Sequence, residues 1–229
     1  MNLLSLRIVV ASSLFATVVG SVACSSTPFD ASSFTETCAS PADLAGKTPF
    51  DSLELRVRLV AIPGGAGTVD LGTVGPFTVL DTRGNLCSSA SDVDACKKKA
   101  AAATTDSSDW TSTNESRGGG PYQPATTSSV TYFVVTRGDD VRVLASRAAL
   151  ADYFGPLDSP AKAVLAYSPS KRTCLAARTD SDGISILREG LNSCGDVERQ
   201  TLIRVGPAGQ VSEQTEAVSA GSCSAPLPS

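Results

Sequence analysis

The 229-residue chain has no histidine. That absence removes the commonest general base, the commonest metal ligand and the one side chain that titrates near neutral pH, and it excludes Ser-His-Asp and Cys-His mechanisms. Basic charge is also scarce. With 19 Lys and Arg against 23 Asp and Glu the formal net charge is −4, so no cationic surface for nucleic acid is expected. Aromatic residues make up 5% of the chain, with one tryptophan. Set beside 19 glycines and abundant Ser and Thr, this suggests a modest core that disulfides help to hold. Cys-x-x-Cys pairs are missing, which, together with the missing histidine, argues against a zinc site. No metal and no cofactor is expected. No apolar run reaches the roughly 20 residues of a membrane-spanning helix.

What is present begins with an export signal. Met1 to Arg7 carries one basic and no acidic residue, and Ile8 to Gly20 is an uncharged, mostly apolar run; these are the n-region and h-region of a signal peptide over 1–23. Ser21-Val22-Ala23-Cys24 resembles the lipobox at which bacterial lipoproteins are cleaved and acylated, so Cys24 is the expected lipid carrier. Ser21 replaces the usual Leu, which leaves open cleavage by ordinary signal peptidase and release of a secreted protein. Cysteine parity favours the lipoprotein. Of seven cysteines, setting Cys24 aside leaves Cys38, Cys87, Cys96, Cys174, Cys194 and Cys223, a set that can pair completely in an oxidising compartment. The short loop between Cys87 and Cys96 and the hairpin edges at Cys174 and Cys194 suggest those two bridges. Cys38 and Cys223 then pair by elimination.

Local signals divide the mature chain. Residues 24–40 are small and polar, as in a flexible tether. Residues 41–103 form a strand-rich region with one helix: Leu53, Leu55, Val57 and Leu59 alternate with Glu54, Arg56 and Arg58, a second strand is expected from Pro76 to Asp81, and Ser91 to Ala103 is a helix capped by Ser91. Residues 104–129 are low in complexity and periodicity, as in a long mobile loop containing Trp110. Residues 130–223 carry the sharpest signals. Thr131 to Arg137 and Val141 to Ala145 flank Gly138-Asp139-Asp140 as a hairpin. Ser146 caps one helix and Gly155-Pro156 stops it; Asp158 or Ser159, with Pro160, starts another. Four strands follow, Thr173 to Thr179, Ile184 to Gly190, Arg199 to Val205 and Gln210 to Val218, with turns at Asp180 to Gly183, Asn192 to Asp196 and Gly206 to Gly209. Residues 224–229 are a tail. Segregated strands and helices predict an α+β fold in which an antiparallel sheet packs against a short helix pair, preceded by a small strand-rich region and the long loop.

The stretches Cys38-Ala39-Ser40-Pro41-Ala42-Asp43-Leu44, Phe133-Val134-Val135-Thr136-Arg137-Gly138-Asp139 and Phe154-Gly155-Pro156-Leu157-Asp158-Ser159-Pro160-Ala161-Lys162-Ala163 resemble a group of uncharacterised cysteine-containing lipoproteins of myxobacteria and related bacteria. The shared motifs are caps, turns and cysteines. The resemblance implies kinship and no activity. Some members continue into a ferritin-like helical segment, and no di-iron motif of that kind is expected here.

Four local patterns have a chemical reading beside a structural one. Ser159-Pro160-Ala161-Lys162 and Ser168-Pro169-Ser170-Lys171 match Ser-x-x-Lys spacing but lack its companion elements, and Ser159 is explained as a cap. Asp180-Ser181-Asp182-Gly183 opens like a calcium loop without the remaining ligands. Asp139 and Asp140 are adjacent in a turn, where side chains seldom converge on one bond. Lys97, Lys98 and Lys99 read as solvated helix surface. No catalytic residue is therefore assigned. The expected function is that of a non-enzymatic cell-envelope lipoprotein, held to the membrane by its lipid and binding an envelope protein partner. The alternatives are a secreted inhibitor or small-ligand carrier and, less favoured, a histidine-free hydrolase.

Overall fold

The computed structural model describes residues 29–44, 49–61, 76–114, 127–191 and 197–218. The signal peptide, Cys24, Cys194, Cys223 and the Asn192 to Asp196 turn lie outside the described residues.

Alternating sequence becomes strand where it was expected. β2 (Ser52–Ala61), β3 (Thr78–Gly84), β5 (Thr127–Arg137), β6 (Asp140–Leu144), β7 (Thr173–Asp180), β8 (Gly183–Leu191), β9 (Val197–Val205) and β10 (Val211–Ala217) join β1 (Thr35–Ala39) and β4 (Thr111–Asn114). Two antiparallel sheets result. One has the order β1-β7-β8-β9-β10, and the other the order β3-β2-β5-β4 with β6 also paired to β5. Among the described residues three short α-helices complete an α+β fold: α1 (Val93–Ala102), α2 (Arg147–Phe154) and α3 (Pro160–Tyr167).

Caps set the helix starts. Ser146 Oγ accepts from Ala149 N at 3.1 Å, and Ser159 Oγ accepts from Lys162 N at 3.4 Å, each satisfying an amide that the first turn leaves unpaired. α2 stops at Gly155, whose φ of 84° is open to glycine at little cost. For α1 the cap is Asp92, which accepts from Ala95 N at 2.9 Å. Ser91 was the expected cap; its hydroxyl donates instead to Asp139 at 2.6 Å.

The core lies between the sheets. Leu53, Leu55, Phe133 and Val135 from one sheet, Ile184, Ile186, Ile203 and Val205 from the other, and Leu150, Phe154 and Leu165 from α2 and α3 form one buried cluster. Ala163, Val164, Leu165 and Ala166 are consecutive and all 0% exposed, which a helix covered on a single face cannot achieve. The opposite face of the second sheet is covered too. Val130, Tyr132 and Val134 form a second cluster with Phe77 and Ala103 against it, so β5 is apolar on both sides and reads as a continuous run.

Three boundaries differ from the sequence reading. The expected tether 24–40 contains β1, whose burial pattern leaves only Ala39 buried; so polar a strand has no amphipathic signature. The expected loop 104–129 contains β4 and the start of β5, and Trp110 within it is packed, with its indole Nε1–H donating to Ala166 O at 2.6 Å. The hairpin β5–β6 belongs to the sheet of β2 and β3, so residues 130–223 do not form a sheet of their own. Pairing between distant strands leaves no local trace.

Candidate functional site

The Ser-x-x-Lys motifs do not assemble. Lys162 Nζ turns away from the Ser159 hydroxyl and donates to Asp158 Oδ1 at 3.1 Å and Pro156 O at 3.2 Å. Ser168 follows the end of α3, so Ser168 and Lys171 do not share a helical turn. The carboxylates of Asp180 to Gly183 are engaged by cations: Arg178 Nε lies 2.9 Å from Asp180 Oδ1, and Arg204 Nη1 lies 3.5 Å from Asp182 Oδ2. Asp139 and Asp140 diverge. The first accepts from Ser91 N at 2.9 Å and the second from Arg142 Nε at 2.7 Å. Lys97 and Lys98 are exposed.

Two carboxylates fasten the segment after Cys87 to the β5–β6 turn. Asp51 accepts from Ser89 Oγ at 2.6 Å and from Gly138 N at 2.9 Å. Partial burial works to raise its pKa, but the hydrogen bonds from Ser89 and Gly138 outweigh it and hold the carboxyl below its usual value. For Asp139 the Ser91 hydroxyl is the largest influence, and it lowers the pKa.

Beneath α1 the polar face of β2 is buried. Arg56 is 2% and Glu54 8% exposed; Arg56 Nε donates to Glu54 Oε2 at 2.8 Å, and its Nη1 donates to Ala100 O at 2.7 Å and Ala103 O at 3.1 Å. The guanidinium thus neutralises a buried carboxylate and caps the carbonyl end of α1, where a cation is favoured. Tyr132 next to it is pushed up in pKa by burial. This cluster is closed over by Phe77, which lies 3.9 Å from the Arg56 guanidinium carbon by its ring centroid.

Converging polar groups open to solvent occur in a crevice of about 440 Å³ where the two sheets meet at the end of α3. Trp110, Arg147, Tyr167, Arg188 and Glu213 contribute to its walls. Arg188 Nη1 donates to Tyr167 Oη at 3.0 Å, and Tyr167 Oη donates to Glu213 Oε1 at 3.4 Å; the hydrogen bond to Tyr167 raises the Arg188 pKa. Arg147 sits at the first position of α2. Its backbone N–H donates to Asp109 Oδ2 at 2.8 Å, its Nη1 is a loose 3.6 Å from the same oxygen, and its Nε is buried without a hydrogen-bond partner. Six separate segments build this crevice. Trp110 was singled out in the sequence, but nothing near Arg147, Tyr167, Arg188 or Glu213 marks them as neighbours.

Cys87 and Cys96 are bonded, as the short loop suggests. Among the described residues the other bridge is Cys38–Cys174, which corrects both Cys174–Cys194 and Cys38–Cys223. The reason is register: β1 pairs with β7 so that Cys38 stands directly opposite Cys174. Glu36, Cys38 and Cys174 bring three potential ligand atoms within 4.8 Å of one another, but the bond between the sulfurs withdraws both from ligation.

Two disulfides fit an oxidising compartment outside the cytoplasm. Among the described residues no helix is long and apolar enough to cross a membrane. No family model, no curated protein and no solved structure matches the chain.

Proposed function

We propose that the chain is a non-enzymatic cell-envelope lipoprotein, anchored through Cys24, whose folded part is a binding module with the inter-sheet crevice as its recognition surface. The observation that carries the reading is the crevice chemistry: Arg147, whose guanidinium lies near Asp109, and Arg188, which donates to Tyr167 Oη, line the same opening as Glu213. Two guanidinium groups set among the carboxylates of Asp109 and Glu213 beside Trp110 suit a polar surface of an envelope partner that offers carboxylates to the arginines, because the arginine fork recognises carboxylates bidentately. The kinship with cysteine-containing myxobacterial lipoproteins belongs to the same proposal.

Two experiments test it. Metabolic labelling with a fatty-acid probe should mark the wild type and leave Cys24→Ala unmarked; unlabelled wild-type protein in the medium contradicts the anchor. A photo-crosslinker at Ser112, on the crevice rim, should give a defined adduct in envelope fractions that is lost in Arg147→Ala/Arg188→Ala and absent from a probe at Lys98 on α1. Identical adducts from both positions contradict the crevice as the recognition surface.

A further inference from the structure

We propose that Cys38–Cys174 is a thiol–disulfide exchange site, opened by a dithiol reductant that attacks Cys38, and that reduction releases β1 from its sheet. Both cysteines are exposed, whereas Cys87 and Cys96 are 0% and 1% exposed. Cavities flank the bond on either side. One of about 510 Å³ reaches Cys174 and one of about 750 Å³ reaches Cys38, so a sulfur nucleophile has room to approach along the bond.

Charge selects the side. The cavity beside Cys174 is lined by two carboxylates, Glu36 and Glu189, against one cation, Arg188. The cavity beside Cys38 is lined by Lys171 and Arg172. Asp43 also lies there, so two cations face one carboxylate and the balance is positive, the reverse of the Cys174 side. An attacking thiolate is an anion, so it is drawn to the lysine and arginine and repelled by the glutamates.

The chemistry balances with a dithiol alone. Its thiolate forms a bond to Cys38 Sγ as the Cys38–Cys174 bond breaks, and the electron pair leaves on Cys174 Sγ, which takes up the proton given by the attacking thiol. The second thiol of the reductant then attacks its own partner sulfur in the mixed disulfide, and Cys38 leaves and is protonated. The reductant becomes a disulfide while the protein gains two thiols.

Release of β1 follows from how little else holds it. Ala39 is its only buried side chain. Beyond the bond, the strand keeps its ladder to β7 and the packing of Ala39 into the core beside α3, and the segment before it keeps the Arg178–Ser33 hydrogen bond of 2.7 Å and the Arg178 contact with Phe34.

The test uses the full mature protein, with dithiothreitol as the dithiol and 2-mercaptoethanesulfonate as an anionic monothiol trap. Under native conditions Cys38 and Cys174 should become alkylatable at least about tenfold faster than Cys87 and Cys96. The monothiol should be recovered on Cys38 with Cys174 free, and hydrogen exchange should rise in β1 while β5 and β8 stay protected. Lys171→Glu/Arg172→Glu should slow the first opening about tenfold and leave that of Cys87–Cys96 unchanged, which shows that the variant is folded. Equal opening rates, an adduct on Cys174, a rate indifferent to the charge reversal, or β1 amides that remain protected after reduction would each overturn the proposal.

Discussion

Cys87–Cys96 has a sequence separation of 9 and is buried, whereas Cys38–Cys174 has a sequence separation of 136 and is exposed. The first bond joins parts that other interactions already hold. Asp51 and Asp139 tie the same segment to the β5–β6 turn, Thr136 Oγ1 accepts from Cys87 N at 3.3 Å, and Arg56 pins the far end of α1. Cys87 adopts a φ of 58°, unusual for a residue with a side chain, and that surrounding network holds it there. The second bond joins a strand with a single buried side chain to the edge of a sheet. A disulfide there stands in for hydrophobic burial. Small folds with modest cores use cross-links in both ways, and the two should respond differently when cut.

The largest effect belongs to the long bond. By loop-closure entropy, Cys38→Ser/Cys174→Ser should lower unfolding stability by up to about 5 kcal/mol, less whatever fraying of β1 recovers, as read from denaturant midpoints. Arg56→Ala comes next. It leaves the Glu54 carboxylate buried beside an uncapped helix end and should cost about 4 kcal/mol; a loss under about 1 kcal/mol would show that α1 is not held by this pair. The short bond follows, with Cys87→Ala/Cys96→Ala expected to cost about 3 kcal/mol.

How much of this was legible in the sequence depends on range. The β5–β6 hairpin, the capped helices α2 and α3 and the strands β7 to β10 were readable because alternation, serine caps and turn residues act within a few positions. β1 was not, since Thr35, Glu36 and Cys38 are exposed and offer no apolar stripe. Glu54 and Arg56 read as the solvent face of a half-buried strand and are buried, because the cover comes from a helix some 40 residues later. The same limit applies to the crevice. Arg147, Tyr167, Arg188 and Glu213 meet only because the start of α2, the end of α3, β8 and β10 come together in the fold, and the Cys38–Cys174 bond follows from a β1–β7 register that has no local signal.

Smaller effects sharpen the contrast further. Ser159→Ala should cost about 1 kcal/mol and Ser159→Asp should be nearly neutral, since aspartate also caps; the wild type should show no covalent labelling by β-lactam or fluorophosphonate probes, and stoichiometric modification at Ser159 would overturn the non-enzymatic proposal. Asp51 and Asp139 have folded-state pKa values below the usual one. Their contribution is therefore present above the unfolded carboxylate value of about 3.9 and is lost as pH falls through the lower folded values. Asp51→Asn/Asp139→Asn should flatten the acid limb of the stability profile, while Cys38→Ser/Cys174→Ser should lower the whole profile without changing that limb.

The contrast between the bonds rests on the pairing itself, and a non-reducing peptide map of protein isolated natively from the envelope with thiols blocked tests it most directly. The map should contain one cross-linked pair joining Cys38 to Cys174 and a second joining Cys87 to Cys96. A peptide joining Cys174 to Cys194, or Cys38 to Cys223, would contradict the account, as would free thiols at Cys38 and Cys174 in protein that was never exposed to a reductant.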